Sequence, residues 1–462
     1  MKRLLTLVAC SLSFHAAGAA DLVTVYQRAL QNDPQLREAE ANRLAALESK
    51  PQALAALLPQ VTGTALANRE RDTGPTTESF SFTDLTTGQR VVEHQDFNGR
   101  TTTHTHKYGV DLKQNLFRWE NWVALQRADA QVAQAEADYQ AAQQDLMSRV
   151  AQRYFDVLAS QDDLDAQEGA LASVNRQLEQ AEKRYEVGLI AITDVQEARA
   201  SHDSSAAAVI AAKRQVASSR EFLREITGDL FDTLARPIEP FELANPDPVS
   251  EDRWVEMALQ QNLSLVSSRL AADIARENVS SARGGHFPSL DVVASGYKLN
   301  SDGTSISADG SPFGNSSLDQ NQRSIGIQLT FPLYSGGMVS SEVRQAVYRH
   351  RAAKERVERV ARQTEHDARD SYLGVLSEIS RVKALRQAVE SNATALTATE
   401  AGYEAGTRTA VDVVESRRLW IQAQTEYSRS RYDYMINVLK LQQAAGILSE
   451  QSLNRLNTLL KE

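Results

Sequence analysis

Two pairs of acidic residues are the first candidates for chemistry in this chain. Asp412 and Glu415 lie three residues apart, and Asp194 and Glu197 repeat that spacing. On a helix, residues three apart share one face, so each pair would present two carboxylates side by side. Such a pair can transfer protons, attract cations or face solvent. Acidic residues are too numerous here to single out an acid–base pair, which leaves cation attraction and a solvated helix face as alternatives.

Metal and nucleophilic chemistry have weaker support. His104 and His106 could form a metal pair on a strand, but the sequence has no His/Glu helix motif, and its single cysteine is Cys10. It also has no glycine-rich phosphate loop and no nucleophile elbow. We therefore expect neither an enzyme nor a bound cofactor.

The composition favours long helical packing. Of 462 residues, 42% are hydrophobic and 6% are aromatic, which is a lean content for globular α/β domains. The chain has 50 basic and 60 acidic residues, a net charge of −10. A nucleic-acid binder needs a basic face to neutralise phosphates, so nucleic acid is not an expected partner.

The first twenty residues are typical of a secretory signal. A basic start is followed by an apolar stretch over Leu4–Phe14 and by small residues before Asp21. Cleavage after Ala19 or Ala20 would remove Cys10 and leave 48 basic and 60 acidic residues, a charge of −12. In an alternative interpretation, a partial lipoprotein box makes Cys10 an acylated N-terminus. No later stretch approaches the roughly 18 apolar residues of a spanning helix, so the mature chain would be soluble, peripheral or inserted as β-structure.

The remaining chain contains an internal duplication. RYEVGLIAITDVQEAR (Arg184–Arg199) aligns without gaps on GYEAGTRTAVDVVESR (Gly402–Arg417), with seven identities in sixteen positions. Residues 76–236 and 333–462 are both free of proline, which agrees with two copies of one pattern. We therefore predict a signal peptide over 1–20, a first repeat over 21–236, a linker over 237–248, a second repeat over 249–446 and a C-terminal segment over 447–462.

Each repeat is predicted to form a helix, a strand, a long loop, a strand, a very long helix, a turn and a helix. The very long helices are expected at residues 120–187 and 338–405, where good helix formers such as Ala, Gln, Glu and Arg dominate. At 1.5 Å per residue, each would be roughly 100 Å long. In the first repeat, the shorter helices at residues 22–57 and 191–227 sum to a similar length. This predicts that they stack end to end along an antiparallel, coiled-coil-like partner.

The strands show a period of two. Ile325, Ile327 and Leu329 alternate with small or polar residues, as do Tyr108 and Val110. Alternating segments flanked by aromatic residues are typical of outer-membrane barrel strands, although half-buried strands of a soluble sheet alternate in the same way. Long polar loops are predicted over 69–104 and 298–323. Four strands cannot close a barrel, so a membrane-inserted form must be an oligomer.

Beyond the signal, nearly the whole chain resembles the TolC family of outer-membrane efflux proteins. The resemblance rests on LLPQV before the first strand, on the turns VGLIAITDVQEAR and AGTRTAVDVVESR, and on the ending YDYMINVLKLQQAAGILSEQSLNRLN. It implies a homotrimer in the cell outer membrane, with a twelve-stranded transmembrane β-barrel that takes four strands from each protomer. The barrel would continue into an α-helical barrel in the periplasm. The implied function is an exit duct for type I protein secretion and multidrug efflux.

The same resemblance implies partners. These are outer-membrane lipid, a periplasmic adaptor (membrane fusion) protein, and an inner-membrane transporter of the ABC, RND or MFS type. The pump, and whether the cargo is protein, small toxic compounds or both, stay open. The alternative function is a periplasmic coiled-coil adaptor that bridges a transport complex. Such adaptors insert a lipoyl-like β-domain into one helical hairpin, whereas this chain has two hairpins with a strand pair before each long helix.

The resemblance also assigns roles at the periplasmic end. Asp412 and Glu415 match an acidic constriction, although the nearest relatives carry Asp in place of Glu415. In a trimer these residues would form two rings of carboxylates that favour cations. The polar links that close the tunnel correspond to Thr193, Asp194, Tyr403, Arg408, Gln177 and Glu400. The turns at the free hairpin ends, which would contact the adaptor, correspond to Gly188, Leu189, Gly406 and Thr407.

Overall fold

The computed structural model of the protein describes residues 19–238 and 243–461. Most of the predicted signal peptide, with Cys10, and residues 239–242 of the predicted linker therefore lie outside the described residues. The helices are α1 (Leu22–Asn32), α2 (Pro34–Leu47), α3 (Ser49–Ala55), α4 (Trp119–Glu186), α5 (Ile192–Thr227), α6 (Glu251–Gln261), α7 (Leu263–Gly284), α8 (Met338–Glu404), α9 (Ala410–Ala444) and α10 (Glu450–Asn457). The strands are β1 (Gln60–Thr83), β2 (Arg90–Phe117), β3 (Arg236–Pro237), β4 (Ser289–Ser307), β5 (Pro312–Thr330) and β6 (Leu460–Lys461).

The two very long helices are confirmed. Helix α4 has 68 residues and helix α8 has 67, each within one residue of the predicted bounds. Neither contains a proline, and the residues with high helix propensity continue to the last turn. The continuous helix predicted over residues 191–227 is likewise confirmed as α5.

The single helix predicted over residues 22–57 is wrong, because the structure divides it into α1, α2 and α3. Asp33 is extended (φ −64°, ψ 119°), since the residue before a proline avoids the helical region. Pro34 then occupies the first position of α2, where no backbone donor is needed. The Asp33 carboxylate accepts the backbone N–H of Leu36 at 2.9 Å, so the break also caps the next helix.

The strands form one antiparallel sheet with the order β1-β2-β4-β5. The long loops predicted over residues 69–104 and 298–323 are wrong, because most of those residues are strand. Pairing of β1 with β2 continues to Thr83 and Arg90, and pairing of β4 with β5 continues to the turn after Ser307. These stretches are polar but rich in threonine and serine, and threonine is well suited to a pleated strand.

The two faces of this sheet differ in polarity. Ile325, Ile327 and Leu329 of β5 are 82%, 72% and 67% exposed on one face. On the opposite face, the hydroxyl groups of Thr101 and Thr105 hydrogen-bond those of serines on β4 at 3.0 and 3.3 Å. The alternation read from the sequence therefore corresponds to one apolar and one polar face. Among the described residues, no helix is both long enough and apolar enough to cross a membrane.

Two compact units divide the chain, and each takes residues from both repeats. One runs to Ala46 and adds Val132–Ala272 and Ala352–Glu462; the other comprises Leu47–Gln131 and Asp273–Arg351. The second unit contains the whole four-stranded sheet. The first unit contains the hairpin ends formed by α4 with α5 and by α8 with α9.

A cluster of aromatic rings forms the centre of the helical unit. Phe155 contacts the edge of Tyr154 and stacks on Tyr432, with ring centroids 5.5 and 5.6 Å apart. The Tyr432 hydroxyl donates to Asp162 at 2.7 Å, and burial raises the pKa of this phenol. Tyr154 donates to the carbonyls of Ala20 and Ala235 at 3.1 and 2.8 Å. Because the three rings are buried and both tyrosines are hydrogen-bonded, the cluster joins α4 to α9, and Tyr154 joins α4 to the start of the described chain.

Candidate functional site

The turn after α4 is closed by two backbone hydrogen bonds. The N–H of Gly188 donates to the carbonyl of Tyr185 at 2.8 Å, and the N–H of Leu189 donates to that of Arg184 at 2.9 Å. This pair of bonds is a Schellman motif, which needs a left-handed residue directly after the helix. Gly188 meets that need with φ +77°.

The turn after α8 repeats this geometry. Gly406 donates to Tyr403 at 3.0 Å, and Thr407 donates to Gly402 at 2.8 Å. Gly406 has φ +75°, and no atom lies within 4 Å of a Cβ built on it or on Gly188. Both turns predicted to contact the adaptor therefore have the same backbone, and each leaves open space at its glycine.

The helices that follow the turns begin differently. Helix α9 starts with a capping box, in which the Asp412 carboxylate accepts the backbone N–H and the hydroxyl of Thr409, each at 2.9 Å. The Thr409 hydroxyl in turn accepts the backbone N–H of Asp412 at 3.2 Å. Ala191 occupies the same position before α5 and has no side-chain cap. Within the described residues, the Asp194 carboxylate accepts no hydrogen bond.

Each carboxylate of the predicted constriction has its own partner. Hydrogen bonds from Thr409, with a smaller contribution from the Arg408 charge, hold the pKa of Asp412 below its usual value. Arg418 donates to both oxygens of Glu415, at 2.9 and 2.6 Å, and holds the pKa of that carboxyl below its usual value. Sequence reasoning missed Arg418, although its i,i+3 spacing from Glu415 is a recognised signal for an ion pair.

The links predicted between Tyr403, Arg408, Thr193 and Asp194 are not formed inside this single chain, as far as the described residues extend. The Arg408 side chain packs instead against Gly402, where an added Cβ would lie 2.8 Å from the Arg408 Cγ. The guanidinium of Arg184 lies 5.9 Å from the centre of the Tyr403 ring. The predicted links to neighbouring helices therefore remain a prediction.

The remaining predicted pair is joined by a third residue. Arg417 donates to Gln177 Oε1 at 3.2 Å and to Glu400 Oε1 at 2.5 Å. Sequence reasoning missed Arg417. It lies 240 residues from Gln177, so no local spacing could have predicted that contact.

The first repeat contains half of the same arrangement. Arg199 donates to Glu182 at 3.0 Å, and these residues are 17 apart, as are Arg417 and Glu400. The internal alignment of the sequence places Arg199 opposite Arg417, and could have revealed both ion pairs.

The two hairpins also differ in how their helices pack next to the turn. In the first repeat, Ala181, Val195 and Ala198 form a small buried cluster. Thr399 and Ser416 stand at the positions equivalent to the two alanines, and Ser416 donates to the Thr399 hydroxyl at 3.2 Å. The second hairpin therefore has a hydrogen bond where the first has an apolar contact.

The described part of the chain contains no group of three or more His, Cys, Asp and Glu residues placed to hold a metal ion. His104 and His106 both lie on β2 and are not joined there by a third ligand. The chemistry that this arrangement supports is electrostatic and conformational. It combines carboxylates at the start of α9 with polar links between hairpins.

Comparison with known proteins gives a consistent result. The family model described as outer membrane efflux protein matches residues 25–229 and 254–447. Outer membrane protein TolC of Vibrio cholerae is 37% identical, covering 100% of this chain and 99% of the relative. Outer membrane protein TolC of Escherichia coli is 35% identical, covering 100% and 90%. Alkaline protease secretion protein AprF of Pseudomonas aeruginosa is 29% identical, covering 95% and 86%.

Solved structures share the fold. A crystal structure of CusC has a TM-score of 0.72 at 17% identity, covering 94% of this chain and 95% of that one. The CmeC outer membrane channel of Campylobacter jejuni has a TM-score of 0.71 at 17% identity, covering 98% and 95%. The combination of very long helices with one four-stranded antiparallel sheet therefore recurs in proteins of low sequence identity.

Proposed function

Because this chain belongs to the outer membrane efflux protein family, we propose that three copies assemble into one channel gated at its hairpin ends. The chain is an outer-membrane channel of the efflux and secretion type, with its helical part in the periplasm, and is not an enzyme. In the proposed trimer, the sheets of three copies close one twelve-stranded β-barrel. The long helices of the copies surround a continuous tunnel.

The observation that carries the trimer is the sheet with two free edges. Among the described residues, strands β1 and β5 each pair on one side only, and one face of the sheet exposes a row of isoleucine and leucine. Free edges of such length are a liability unless another strand covers them. Pairing β5 of one copy with β1 of the next satisfies both edges. Three such pairings close a ring with its apolar face outward.

The helices next to these two edges support the same arrangement. Helix α3 precedes β1 and exposes Leu54, and Leu58 is exposed in the segment between them; helix α8 follows β5 and exposes Val347 and Tyr348. If β5 of one copy pairs with β1 of the next, α8 comes to lie beside the neighbour's α3. The exposed apolar side chains would then be buried in the contact between copies.

Two adjacent positions on β5 provide the test of this arrangement. Ile327→Arg places a charge on the apolar face and should prevent insertion, since a lipid-facing arginine costs about 2–4 kcal/mol at the bilayer midplane. Gln328→Arg places the same charge on the opposite, polar face and should insert normally. The measurements are the amount of protein in the outer membrane and the mass of the detergent-solubilised particle, expected at about three protomers. A conducting monomer, or equal insertion of both variants, would refute the trimer.

We place the gate at the start of α9. Three copies would bring Asp412 and Glu415 into two carboxylate rings, which attract cations and repel anions. Links from Tyr403 and Arg408 to Thr193 and Asp194 of adjoining helices would keep the ends together. Each partly exposed link is worth only about 0.2–1 kcal/mol. Several weak links in threefold repetition could therefore hold the entrance closed and still yield when a partner binds.

The proposed partners follow from the position of the turns. Gly188, Leu189, Gly406 and Thr407 would meet a periplasmic adaptor, which connects the channel to an inner-membrane ABC, RND or MFS transporter. The cargo would be proteins, small toxic compounds or both. Cysteine placed at Leu189 should cross-link to the adaptor in cells, whereas cysteine at Leu85, in the turn after β1, should not. No cross-link from Leu189 would locate the contact elsewhere.

A further inference from the structure

Arg417 lies where three helices of one chain meet. Its guanidinium, on α9, donates to Glu400 on α8 and to Gln177 on α4. Its side chain is only 12% exposed. An arginine with two acceptors on different helices fixes their relative position more tightly than a single hydrogen bond does, because the guanidinium is planar and its donors point in set directions.

A groove borders Arg417 on one side. A groove of about 440 Å³ separates α9 from α4 and α5 at this level, and Arg417 lines it. Many residues of the opposite wall are small, among them Ala170, Ser201, Ser204 and Ser205. Atoms that line such a space lack close neighbours on one side, so dispersion contributes less to holding α9 here than it would across a fully packed interface. The hydrogen bond from Arg417 to Gln177 therefore adds a directional contact beside this groove.

The equivalent arginine of the first repeat, Arg199, forms its ion pair inside one hairpin. Arg199 binds Glu182 within its own hairpin and is 54% exposed. The residue equivalent to Gln177 in the second repeat is Ala395, which has no polar side-chain atom. Of these two equivalent arginines, Arg417 alone donates a hydrogen bond to the other repeat within the described residues.

We infer that Arg417 is a positioning residue for closure, which holds the α8–α9 hairpin against α4 in the resting channel. This inference rests on the proposed function and adds to it a contact inside one copy. When the bond to Gln177 breaks, the ion pair to Glu400 can persist, so the hairpin would move as a unit. The pair that the resemblance assigns, Gln177 with Glu400, is in this chain bridged by the guanidinium.

Single-channel conductance in planar bilayers tests this role. Arg417→Gln and Gln177→Ala should both raise the resting conductance, because a hydrogen bond to a charged group shifts the closed-to-open ratio by about tenfold per chain. Arg199→Gln is the matched control and should conduct as the wild type. Gln177→Glu should reduce the resting conductance below that of the wild type, since an ion pair replaces a bond to a neutral amide.

Two further measurements show whether the Arg417→Gln channel is still folded and assembled. Particle mass and thermal unfolding should be unchanged in Arg417→Gln, which separates loss of positioning from loss of fold. If Arg408→Ser with Tyr403→Phe opens the channel but folded Arg417→Gln does not, the gate stands and the role of Arg417 is refuted. If the wild type forms no channel under any condition, the proposed function itself fails, and this inference fails with it.

A separate observation concerns Ala20, near the start of the described chain. The N–H of Ala20 donates to Thr233 at 2.9 Å, and its carbonyl accepts from Ala235 and from the Tyr154 hydroxyl at 3.0 and 3.1 Å. Asp21 then caps α1 through the backbone N–H of Thr24 at 2.8 Å. Ala20 is thus part of the folded structure, and its loss would leave the N–H of Ala235 without its acceptor.

We infer that the signal peptide is removed by hydrolysis of the Ala19–Ala20 peptide bond. Small residues then occupy the two positions that a signal peptidase reads, Ala17 and Ala19. Water adds across the amide, leaving a carboxylate on Ala19 and an ammonium on Ala20. The ammonium can still donate to the carbonyl of Thr233.

Terminal sequencing and intact mass of the protein purified from outer membranes provide the test. The expected first residue is Ala20. A mature chain that begins at Asp21, or that carries an acylated Cys10, would refute the inference. A secreted variant that lacks Ala20 should unfold at a lower temperature than the natural mature form, and equal stability would also count against the inference.

Discussion

The hairpin ends of the two repeats share a backbone but differ in what holds them. Both turns have the same Schellman bonds around a left-handed glycine. Above the turn, the first hairpin packs Ala181 against Val195 and Ala198. The second has a hydroxyl pair and an arginine bridge in that region. Apolar contacts are non-directional and tolerate small shifts, whereas hydrogen bonds are lost once their geometry fails. The second hairpin is therefore better suited to switch between two positions.

The helix starts show the same contrast. Thr409 and Asp412 form the reciprocal hydrogen bonds of a capping box at the start of α9, whereas the start of α5 has alanine at the capping position. A well-capped first turn is stiff, so the carboxylate of Asp412 is held in one place. This fits a helix that moves as a rigid body and presents a fixed charge.

The largest effect is expected at the turns, where the two repeats are alike. Gly188→Val and Gly406→Val should each abolish export while particle mass stays unchanged, because a β-branched residue is strained at positive φ and adds bulk at the partner contact. Gly169→Val is the control, since Gly169 lies within α4 with open space around it. Export is measured as resistance of a channel-deficient host to a toxic compound. Survival of export in both turn variants would move the contact elsewhere.

The next largest effect is a change in resting conductance, which we expect from the second hairpin and not from the first. Arg408→Ser with Tyr403→Phe should raise the resting conductance several-fold, because it removes the predicted links of the second hairpin. Tyr185→Phe, at the first-repeat position equivalent to Tyr403, should leave the conductance unchanged. Unchanged conductance in the double variant would mean that closure depends on helix packing alone.

Ion selectivity should depend on the acidic pair of the second repeat and not on that of the first. Asp412→Ala with Glu415→Ala should reduce the cation preference, measured as the reversal potential across a salt gradient, without opening the channel. Asp412→Ala alone should account for most of that loss, since Arg418 donates to both oxygens of Glu415 and offsets part of its charge. Asp194→Ala with Glu197→Ala is the matched control. If only this control variant changed selectivity, the constriction would belong to the first repeat.

The dependence of selectivity on pH tests whether the Asp412 carboxylate sets the cation preference. Hydrogen bonds from Thr409 lower the pKa of Asp412 from its usual 3.8, so the carboxylate stays charged at that pH and is neutralised only at lower values. The cation preference should therefore persist as the pH falls to about 3.8. Thr409→Val removes the side-chain hydrogen bond and should shift the loss of preference to higher pH. Identical titrations of both proteins would show that this cap does not control the charge.

The smallest effect concerns the caps themselves. Thr409→Ala should weaken the first turn of α9 by about 1 kcal/mol, and Ala191→Thr should strengthen that of α5 by up to a similar amount. Hydrogen exchange of the first-turn amides measures both changes as free energies of local opening. The two variants together should invert the difference between the repeats. No change in α5 would mean that Asp194 cannot complete a capping box.

Some of the structure followed directly from the sequence. The long helices were predicted within one residue because propensity, absence of proline and a terminal glycine all act locally. The break at Pro34 was missed, although the same local rules predict it. The strands were predicted too short because their polar threonine-rich halves resemble loops, and only pairing with a neighbouring strand makes them extended.

The sequence by itself determined the duplication, the turn glycines and the positions of the acidic pairs, since each is a matter of spacing along one chain. The tertiary structure alone decided the partners. Arg417 hydrogen-bonds Gln177, which is 240 residues away in sequence, and Ala20 forms a parallel β-bridge with Leu234. Such contacts depend on how helices and strands far apart in sequence are brought together in space. Local spacing carries no information about that distance, so these long-range contacts could be seen only in the folded chain.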